Sequence, residues 1–445
     1  MSADRVAPPA GAQATHGMAI ASGPTPLPRG APRLIIRDQP LSLAEHVGRY
    51  GPLPPPGSWS VTLVTEVERA GLTGRGGAAF PAGRKLRAVA DARSRRGSPV
   101  VVANGSESEP ASSKDAVLLS RSPHLVLDGI ALCAAAVGAA GAYLCVGSGS
   151  PVARSVHDAL TERVQAGLPE VPVEMTGPAA GYLAGQETAL ISVLNGGRPV
   201  PAFVPPRPAQ SGVRRQPTLV LNVETLAHIA LIARYGASWF RSVGTAAAPG
   251  SALVTVTGAV SRPGVREIPL GTPLGAVLHR SGLISSPQAV LVGGYFGSWL
   301  PLPGALHVPV SEPDLRAVGA GLGAGVLAVL PDTACGLAET ARVAGYLATQ
   351  IAAQCGPCRN GMPALAEALN WIAFGQPDAD IIGWARQLTA LVSGRGACHL
   401  PDGAAKLVTS ALTVFAADLR AHAQAGPCDR VGRPAILPIP PGAVR

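Results

Sequence analysis

Short apolar runs alternate with amphipathic stretches through the first half of the chain. The runs Val100–Ala103, Ala142–Val146 and Pro172–Met175 are typical of buried strands. Helical spacing of apolar positions precedes or follows each run, at residues 61–70, 83–93, 124–137, 152–166 and 222–235. Strands separated by helices pair in parallel under a cover of helices on both faces. The pattern therefore predicts an α/β domain with a mostly parallel sheet over residues 57–243.

The pattern changes twice in the second half. Between residues 251 and 330, strands at Leu253–Gly258 and Val265–Leu270 flank an Arg-Pro-Gly turn, and a short helix (Pro273–His279) and a strand (Ala289–Gly293) follow. This order suits a small β-grasp module. Residues 335–425 carry only helical patterns and predict a helical bundle. Residues 199–208 are too proline-rich for a helix or strand, so we expect an extended loop.

Both ends are rich in proline. Residues 1–56 are predicted to form a disordered tail and linker that contains one short helix, Leu43–Tyr50, and residues 426–445 a second disordered tail. The one long uncharged stretch, Gly129–Gly147, is long enough for a membrane span. It breaks at a Gly-Ala-Ala-Gly sequence and borders Asp128. We therefore predict a buried helix followed by a strand, with no direct membrane insertion.

Composition narrows the class of partner and compartment. The net charge is +9, but the basic residues are scattered singly, without Lys/Arg blocks that alternate with aromatics, which argues against a nucleic-acid partner. A basic surface can steer an acidic electron-transfer protein or be merely solvated, and both interpretations stay open. Seven cysteines, an odd number without a secretory signal, indicate a reducing compartment, so we predict a cytoplasmic protein.

One stretch combines several features of a phosphate-binding site. Four glycines between Gly71 and Gly77 form a loop whose backbone can approach a ligand closely. A basic helix that carries Lys85 follows, and such helix starts hold anions. The strand Val100–Ala103 then ends at the polar segment Asn104–Glu109, where ligands sit in open α/β sheets. A glycine-rich surface loop is the alternative, because the chain has 54 glycines.

These residues also carry a family resemblance. Gly74–Lys85 (GRGGAAFPAGRK) and Asn104–Asp115 (NGSESEPASSKD) resemble the NADH-oxidising flavin subunit of respiratory complex I and its relatives in soluble hydrogenases and formate dehydrogenases. Three further segments follow in the family's order: Gly181–Leu190 (GYLAGQETAL), Asn222–His228 (NVETLAH) and Cys355–Gly361 (CGPCRNG). The ESEP and QET elements fit complex I better than the related sodium-pumping and electron-bifurcating families.

The resemblance covers roughly residues 63–419. It implies a flavin-binding α/β domain, a soluble-ligand-binding β-grasp (SLBB) domain and an iron–sulfur helical bundle. It also implies FMN as cofactor, NAD(P)H as substrate and Phe80 as a ring that stacks on the nicotinamide nucleotide. The residues it assigns to the cofactor pocket are Gly74, Arg75, Gly76, Gly77, Lys85, Asn104, Glu107, Glu109, Tyr182, Gly185, Glu187 and Asn222.

The nicotinamide side departs from the family pattern. The family has aromatic rings at the positions of Ala88 and Arg207. It has acidic or asparagine side chains at the positions of Ser106, Gln186 and Leu221. Two lost rings weaken a dinucleotide roughly ten- to a hundredfold. Fewer acids near the ribose relax discrimination against a 2′-phosphate, with which Arg207 can pair. We therefore hypothesise that NADPH competes with NADH.

The bundle carries three cysteines of a [4Fe–4S] pattern, Cys355, Cys358 and Cys398, which the resemblance assigns to the metal. The family's first ligand is Ala352 here. Three options are open: an iron with an open or water-filled position, a replacement ligand such as Gln354 or Cys335, or simple buried thiols with no cluster. Zinc with His399 as fourth ligand is a weaker option. Three other cysteines are expected to be structural: Cys133, Cys145 and Cys428.

The implied function is electron transfer from NAD(P)H through FMN to an iron–sulfur centre or to a ferredoxin-like or thioredoxin-like iron–sulfur subunit. No protein side chain is required as a strong acid or base, so no catalytic residue is assigned. In a variant, a ferredoxin-like partner exchanges electrons with the flavin in place of NADH. The rival is a non-catalytic assembly or ligand-binding subunit that kept the fold and lost its redox groups.

Overall fold

The computed structural model describes residues 32–54, 62–147, 149–168, 171–177, 181–284 and 286–441. Its first unit is an α/β layer on a parallel four-stranded sheet of order β3–β2–β1–β4. The strands are β1 (Val100–Asn104), β2 (Ala142–Cys145), β3 (Val173–Thr176) and β4 (Thr218–Asn222). The helices are α1 (Leu43–Tyr50), α2 (Leu63–Ala70), α3 (Ala82–Arg96), α4 (Lys114–Arg121), α5 (Pro123–Val137), α6 (Pro151–Gln165), α7 (Glu187–Leu194) and α8 (Val223–Phe240). The predicted α/β class is confirmed.

Strand β4 was missing from the sequence prediction, and it determines where a ligand can bind. It pairs with β1 on the side away from β2, so the chain crosses in opposite directions on the two sides of β1. A crevice opens at the carboxyl ends of strands where the connections diverge in this way. In this sheet that point lies between β1 and β4, where Asn104 and Asn222 stand side by side in the register.

The apolar stretch after Asp128 is a core helix and a strand, as its glycine break predicts. Helix α5 is almost entirely buried, and β2 follows it. The Asp128 carboxylate accepts hydrogen bonds from Arg163 at 2.7 Å and Arg234 at 2.5 Å, and it contacts His46 at 2.7 Å. In the described ranges no single helix is long and apolar enough to cross a bilayer. Only α4 and α5 together reach that length and composition, and they are bent 94° apart.

The second unit is a five-stranded sheet of order β6–β5–β11–β8–β9, beside a two-stranded ribbon of β7 and β10. Its elements are β5 (Ser251–Gly258), β6 (Gly264–Pro269), β7 (Thr272–Pro273), α9 (Leu274–Arg280), β8 (Pro287–Val292), β9 (Ser298–Pro301), β10 (Pro309–Val310), α10 (Glu312–Ala317) and β11 (Val326–Pro331). The central strand β11 runs parallel to β5 and antiparallel to β8. Its unbroken apolar sequence suits a strand covered on both faces.

The third unit is a helical bundle, in which a π-turn at Pro357–Gly361 leads from the first helix to the second. Its helices are α11 (Gly336–Thr349), α12 (Met362–Phe374), α13 (Ala379–Val392), α14 (Leu400–Val414) and α15 (Ala416–Ala425). Short 3₁₀ turns elsewhere cover Tyr182–Gly185, Val213–Arg215, Gly304–His307 and Asp429–Gly432. One apolar core joins the bundle to the inner face of the β-grasp sheet.

The predicted N-terminal tail and linker is wrong for residues 32–54, while residues 1–31 and 55–61 lie outside the described ranges. Leu34 is fully buried, and the Glu267 carboxylate accepts the N–H groups of Arg33 and Leu34 at 2.8 Å. Helix α1 follows as predicted. Pairing of these backbone donors with a buried carboxylate outweighs a proline-rich composition that by itself favours disorder.

The predicted C-terminal tail is also wrong for residues 426–441. The Glu339 carboxylate accepts the N–H groups of Ile436 at 3.1 Å and Leu437 at 3.0 Å, and the Leu437 side chain is buried. The Tyr295 hydroxyl donates a hydrogen bond to the Pro438 carbonyl. These contacts tie the C-terminal segment to the bundle and to the β-grasp unit.

Candidate functional site

The glycine loop closes over the ends of β1 and β4. A Cβ on Gly76 would stand 3.3 Å from the Cβ of Asn222, and Gly77 has a φ of +104°, which disfavours any side chain there. Gly77 also forms a β-bridge with Gly323 of the second unit. The loop backbone thus occupies the crevice edge without side chains, as close approach to a ligand requires.

Four predicted side chains and backbone groups surround the same opening. The Asn104 amide donates to the Gly185 carbonyl at 2.8 Å. The Lys85 ammonium donates to a Glu187 oxygen at 3.0 Å and to the Val220 carbonyl at 3.3 Å. The two charged side chains are 30% and 33% exposed, so solvent reaches this ion pair. Lys85 is thus a cation at the opening that an anionic group can reach.

A buried ion network supports the crevice from below. The Lys114 ammonium contacts Asp115 at 2.7 Å, Glu224 at 2.9 Å and the Asn222 amide oxygen at 3.4 Å. The Asn222 amide nitrogen donates to Asp115 at 2.7 Å. Burial opposes the charge, but Asp115 and Glu224 raise the pKa of Lys114 above its usual value. The sequence pattern did not reveal this network, and its one signal was that Lys114 is one of three lysines in the chain.

Arg75 holds the glycine loop in place. Its side chain is buried and donates to Thr73 at 2.8 Å and to the Ser251 carbonyl at 3.0 Å. Its backbone N–H donates to the Thr225 hydroxyl at 2.9 Å. These contacts fix the loop against the second unit, and the assignment of Arg75 to the cofactor pocket stays a prediction.

Glu107 is held by the residues that begin the next helix, and its assignment to the cofactor pocket stays a prediction. Its carboxylate accepts the Ser112 hydroxyl at 2.5 Å and the N–H groups of Asp115 at 3.2 Å and Ala116 at 3.1 Å. Burial and the neighbouring Asp115 charge raise its pKa. The contacts place Glu107 at the start of α4, where a carboxylate stabilises the helix.

Glu109 forms a separate buried carboxyl site. One oxygen accepts the Tyr182 hydroxyl and the Tyr295 N–H, each at 2.8 Å, and burial raises the pKa of Glu109 to about 7. A Cβ on Gly294 would stand 2.5 Å from this oxygen, so the close approach depends on glycine. The carboxyl group is therefore poised to change charge near neutral pH.

An aromatic cluster surrounds Glu109. The Tyr182 ring lies parallel to Tyr295 at 6.4 Å between centroids and contacts Phe296 at 4.9 Å and Tyr346 at 6.0 Å. Sequence analysis found Tyr182 and missed the other three rings. Two of them follow the glycine pair at the end of β8, a strand end of the kind that had identified Asn104.

The rings expected on the nicotinamide side are partly replaced. Phe80 is half-buried, and the Arg84 guanidinium lies 5.4 Å from its ring centre. Ala88 and Arg207 are exposed. Arg207 is therefore accessible to a charged group, as the 2′-phosphate hypothesis requires.

A ring that sequence analysis missed stands in the proline-rich loop. Phe203 is 71% exposed. The N–H of the preceding residue, Ala202, donates to the Thr188 hydroxyl at 2.8 Å, and Thr188 follows Glu187 at the start of α7. The backbone beside Phe203 is thus fixed to the start of α7, next to Glu187 in the wall of the crevice.

The three predicted metal ligands converge at the start of α12. The Cys358 thiol donates toward the Cys398 sulfur and also contacts Cys355. This donation lowers the pKa of Cys398 to about 6 and raises that of Cys358. Cys358 and Cys398 are buried, and Cys355 is half-buried. The three thiols therefore lie at one end of the bundle, with Cys358 in contact with the other two.

The substitutes considered for the fourth ligand do not join this group. Cys335 lies at the start of α11, near the far end of α12, a helix of 13 residues and about 20 Å. Gln354 is exposed, and His399 is 91% exposed and contacts Asp402 at 3.3 Å. Ala352 offers only a methyl group. In the described part of the chain, three thiols remain as side-chain ligands at this end.

Two family profiles match the chain: the Nuo51 FMN-binding domain over residues 67–231 and the NADH-ubiquinone oxidoreductase-F iron-sulfur binding region over residues 338–422. An NADH-quinone oxidoreductase-F protein of Rhizobium meliloti (strain 1021) is 32% identical over 381 residues, which cover 82% of this chain and 90% of the relative. The mitochondrial NADH dehydrogenase [ubiquinone] flavoprotein 1 of Dictyostelium discoideum is 31% identical over 358 residues, which cover 77% of this chain and 75% of the relative.

A solved structure of an NAD⁺-reducing [NiFe]-hydrogenase in the H₂-reduced state superimposes with a TM-score of 0.76 at 30% identity. The match covers 83% of this chain and 63% of that chain. The resemblance inferred from the sequence is confirmed, as are the predicted flavin and iron–sulfur regions. The chain therefore belongs to the NADH-quinone oxidoreductase-F family, the flavin- and iron–sulfur-bearing oxidoreductase subunits.

Proposed function

We propose that this chain binds FMN in the crevice between β1 and β4 and there accepts electrons from a nicotinamide nucleotide. The observation that carries the proposal is the meeting of the glycine loop with Asn104 and Asn222 at the point where the sheet's connections diverge. Bound FMN supplies the conversion between a two-electron donor and one-electron carriers.

The residues at the opening fit the groups of FMN. The loop around Gly76 and Gly77 offers backbone donors without a side chain, and Lys85 offers a solvent-accessible ammonium for the phosphate. Asn104 and Glu187 hold the opposite wall. Asn222 faces the loop and is fixed by Asp115 and Lys114, so it acts by shaping the floor.

The bundle fits three corners of a [4Fe–4S] cluster. Three thiols lie together, and the hydrogen bond from Cys358 lowers the pKa of Cys398 to about 6, which favours the thiolate form that binds iron. Since Gln354 is exposed and Cys335 lies at the other end of α12, we propose that a non-protein ligand completes the fourth iron. That iron is then the most accessible point of the cluster.

We further propose that the electrons leave to an iron–sulfur subunit of ferredoxin-like or thioredoxin-like type, because the relatives are named as subunits of larger enzymes. Seven unpaired cysteines suit the reducing cytoplasm. Whether NADPH competes with NADH depends on the exposed Arg207, which provides a charge for a 2′-phosphate.

The test is a visible spectrum of the anaerobically purified chain after incubation with excess FMN. We expect flavin bands that bleach on addition of NADH or NADPH and a broad absorption from iron–sulfur. If dithionite bleaches the flavin and NADH and NADPH do not, the electron donor is a protein partner and not a nicotinamide nucleotide. A folded chain that takes up no flavin would overturn the proposal and favour the non-catalytic assembly role. The replaced aromatic rings and Ala352 are the sequence features that support that alternative.

A further inference from the structure

A second group of metal-binding side chains lies apart from the three cysteines at the start of α12. Cys335 at the start of α11, His422 in α15 and Cys428 after α15 bring two Sγ atoms and one imidazole nitrogen within 4.8 Å of one another. The Cys335 sulfur lies 3.9 Å from His422 Nε2. The group touches the last turn of α12, so the length of that helix separates it from Cys358.

The imidazole is oriented as in a metal ligand. His422 is fully buried, and its Nδ1 lies 3.1 Å from the Ile372 carbonyl, to which it donates. This bond places the proton on Nδ1 and leaves the lone pair of Nε2 directed toward the sulfurs. Metal-binding histidines are held in this way by a carbonyl or carboxylate behind the ring.

The sulfurs differ in exposure. Cys335 is 2% exposed, and the N–H groups of Leu337 and Ala338 point at its sulfur. Cys428 is half-buried, and the Arg430 guanidinium contacts its sulfur.

We propose that Cys335, His422 and Cys428 form a zinc site with water in the fourth position. Tetrahedral zinc has Zn–S of about 2.3 Å and Zn–N of about 2.0 Å, which separates its ligand atoms by about 3.5–3.8 Å. The Cys335–His422 spacing needs a contraction of only a few tenths of an ångström. Two thiolates and one imidazole favour Zn²⁺ over hard cations. Loading releases two protons, one from each thiol, as two Zn–S bonds form.

Two existing hydrogen bonds must give way. The Cys428 N–H donates to His422 Nε2 at 3.2 Å, and zinc takes the same lone pair. The Cys335 thiol also donates to the Cys428 sulfur, and that proton leaves when the sulfurs bind zinc. Zinc binding therefore exchanges two hydrogen bonds for three coordinate bonds and fixes Cys428 to the bundle. The segment that follows Cys428 bonds to Glu339 and Tyr295, so the site anchors the C-terminal segment.

The test uses Co²⁺ and Zn²⁺ on the full chain, after chelation and reduction. In a Cys355→Ser/Cys358→Ser/Cys398→Ser variant, which removes the other thiols, we expect one Co²⁺ per chain with the intense thiolate-to-cobalt absorption of a tetrahedral site. Zn²⁺ should displace it, and direct loading of the metal-free variant with Zn²⁺ should release two protons per chain. The matched variant adds Cys428→Ser, a change at a half-buried position, and should bind Co²⁺ at least a hundredfold more weakly.

A second measurement guards against misfolding. Zn²⁺ should raise the melting temperature of the triple-serine variant and leave that of the variant with the added Cys428→Ser unchanged, while both melt cooperatively without metal. Retention of the cobalt band after Cys428→Ser would overturn the site. So would a mass 2 Da lower in the metal-free chain under air with no metal uptake after reduction, because that result assigns Cys335 and Cys428 to a disulfide.

Discussion

The crevice between β1 and β4 and the cysteines at the start of α12 both depart from the family pattern, and they tolerate the departures differently. In the crevice, Gln186 accepts the N–H groups of Thr188 and Ala189 at the start of α7, and the Ser106 N–H donates to Asn104. At the bundle, Ala352 offers no ligand atom in its side chain. A site built mainly of backbone groups survives side-chain changes, whereas each ligand of a thiolate site is itself a side chain.

The largest effect is expected from Gly76→Leu. A side chain there points toward Asn222 across the crevice, so FMN affinity should fall at least about a hundredfold, or roughly 3 kcal/mol. Fluorescence titration of FMN measures the loss. Ala78→Leu, on the same loop, is the control. Equal affinity in both variants would show that the loop does not line the flavin.

Ala352→Cys tests the other side of the comparison. A fourth thiolate should replace the non-protein ligand of the fourth iron, so iron after anaerobic reconstitution should stay at about four atoms per chain and be lost more slowly in air. Ala348→Cys, four residues earlier in α11, is the control for an added thiol. If iron is lost from Ala352→Cys as fast as from the wild type and the control, residue 352 does not face the fourth iron.

Glu109→Gln tests how the buried Glu109 carboxyl makes the stability of the folded chain depend on pH. The pKa of Glu109 is raised from 4.5 to about 7, so folding favours the protonated form. The stabilisation is complete below pH 4.5 and is lost as pH rises to about 7, which amounts to about 3 kcal/mol. Urea unfolding of the apoprotein between pH 5 and 8 should show this slope in the wild type and a shallower one in the variant. Identical slopes would place the titration elsewhere.

The smallest effect is expected from Phe203→Ala. If this exposed ring replaces one of the two lost aromatics, its removal should raise the KM for NADH several-fold, by about 1 kcal/mol, and leave kcat unchanged. Val204→Ala, also exposed in the loop, is the control. An equal KM in the two variants would mean that the nucleotide does not stack on this loop.

The sequence predicted structure well where a local pattern of residues determines it. It did not predict contacts between segments that are distant in sequence. Helices such as α1 and α5 were predicted within one residue, because spacing and flanking glycines are local. Strand β4 was missed, although it forms one side of the crevice, since a run of three apolar residues directly before a helix is hard to tell from the start of that helix. The hydrogen-bond partners of Arg75 and Glu107 were not predicted for the same reason: they come from other elements or from the start of the next helix.

Glu109 illustrates the limit further. Its segment was identified, but burial raises the pKa of Glu109, and hydrogen bonds from Tyr182 and Tyr295, 73 and 186 residues away in sequence, oppose that rise. No spacing rule connects them. The C-terminal segment was predicted to be disordered because its composition is proline-rich. Composition does not reveal that the Glu339 carboxylate accepts hydrogen bonds from its backbone.

The hydrogen bond from Tyr295 to Pro438 ties the far end of the chain to the interior. Tyr295 also donates its N–H to Glu109, so one residue joins the buried carboxyl to the C-terminal segment. Trypsin cleavage after Arg430, a position in that segment, should therefore be faster in a Tyr295→Phe variant, which lacks the hydroxyl. A timed digest would then report from the surface how firmly the C-terminal segment is held.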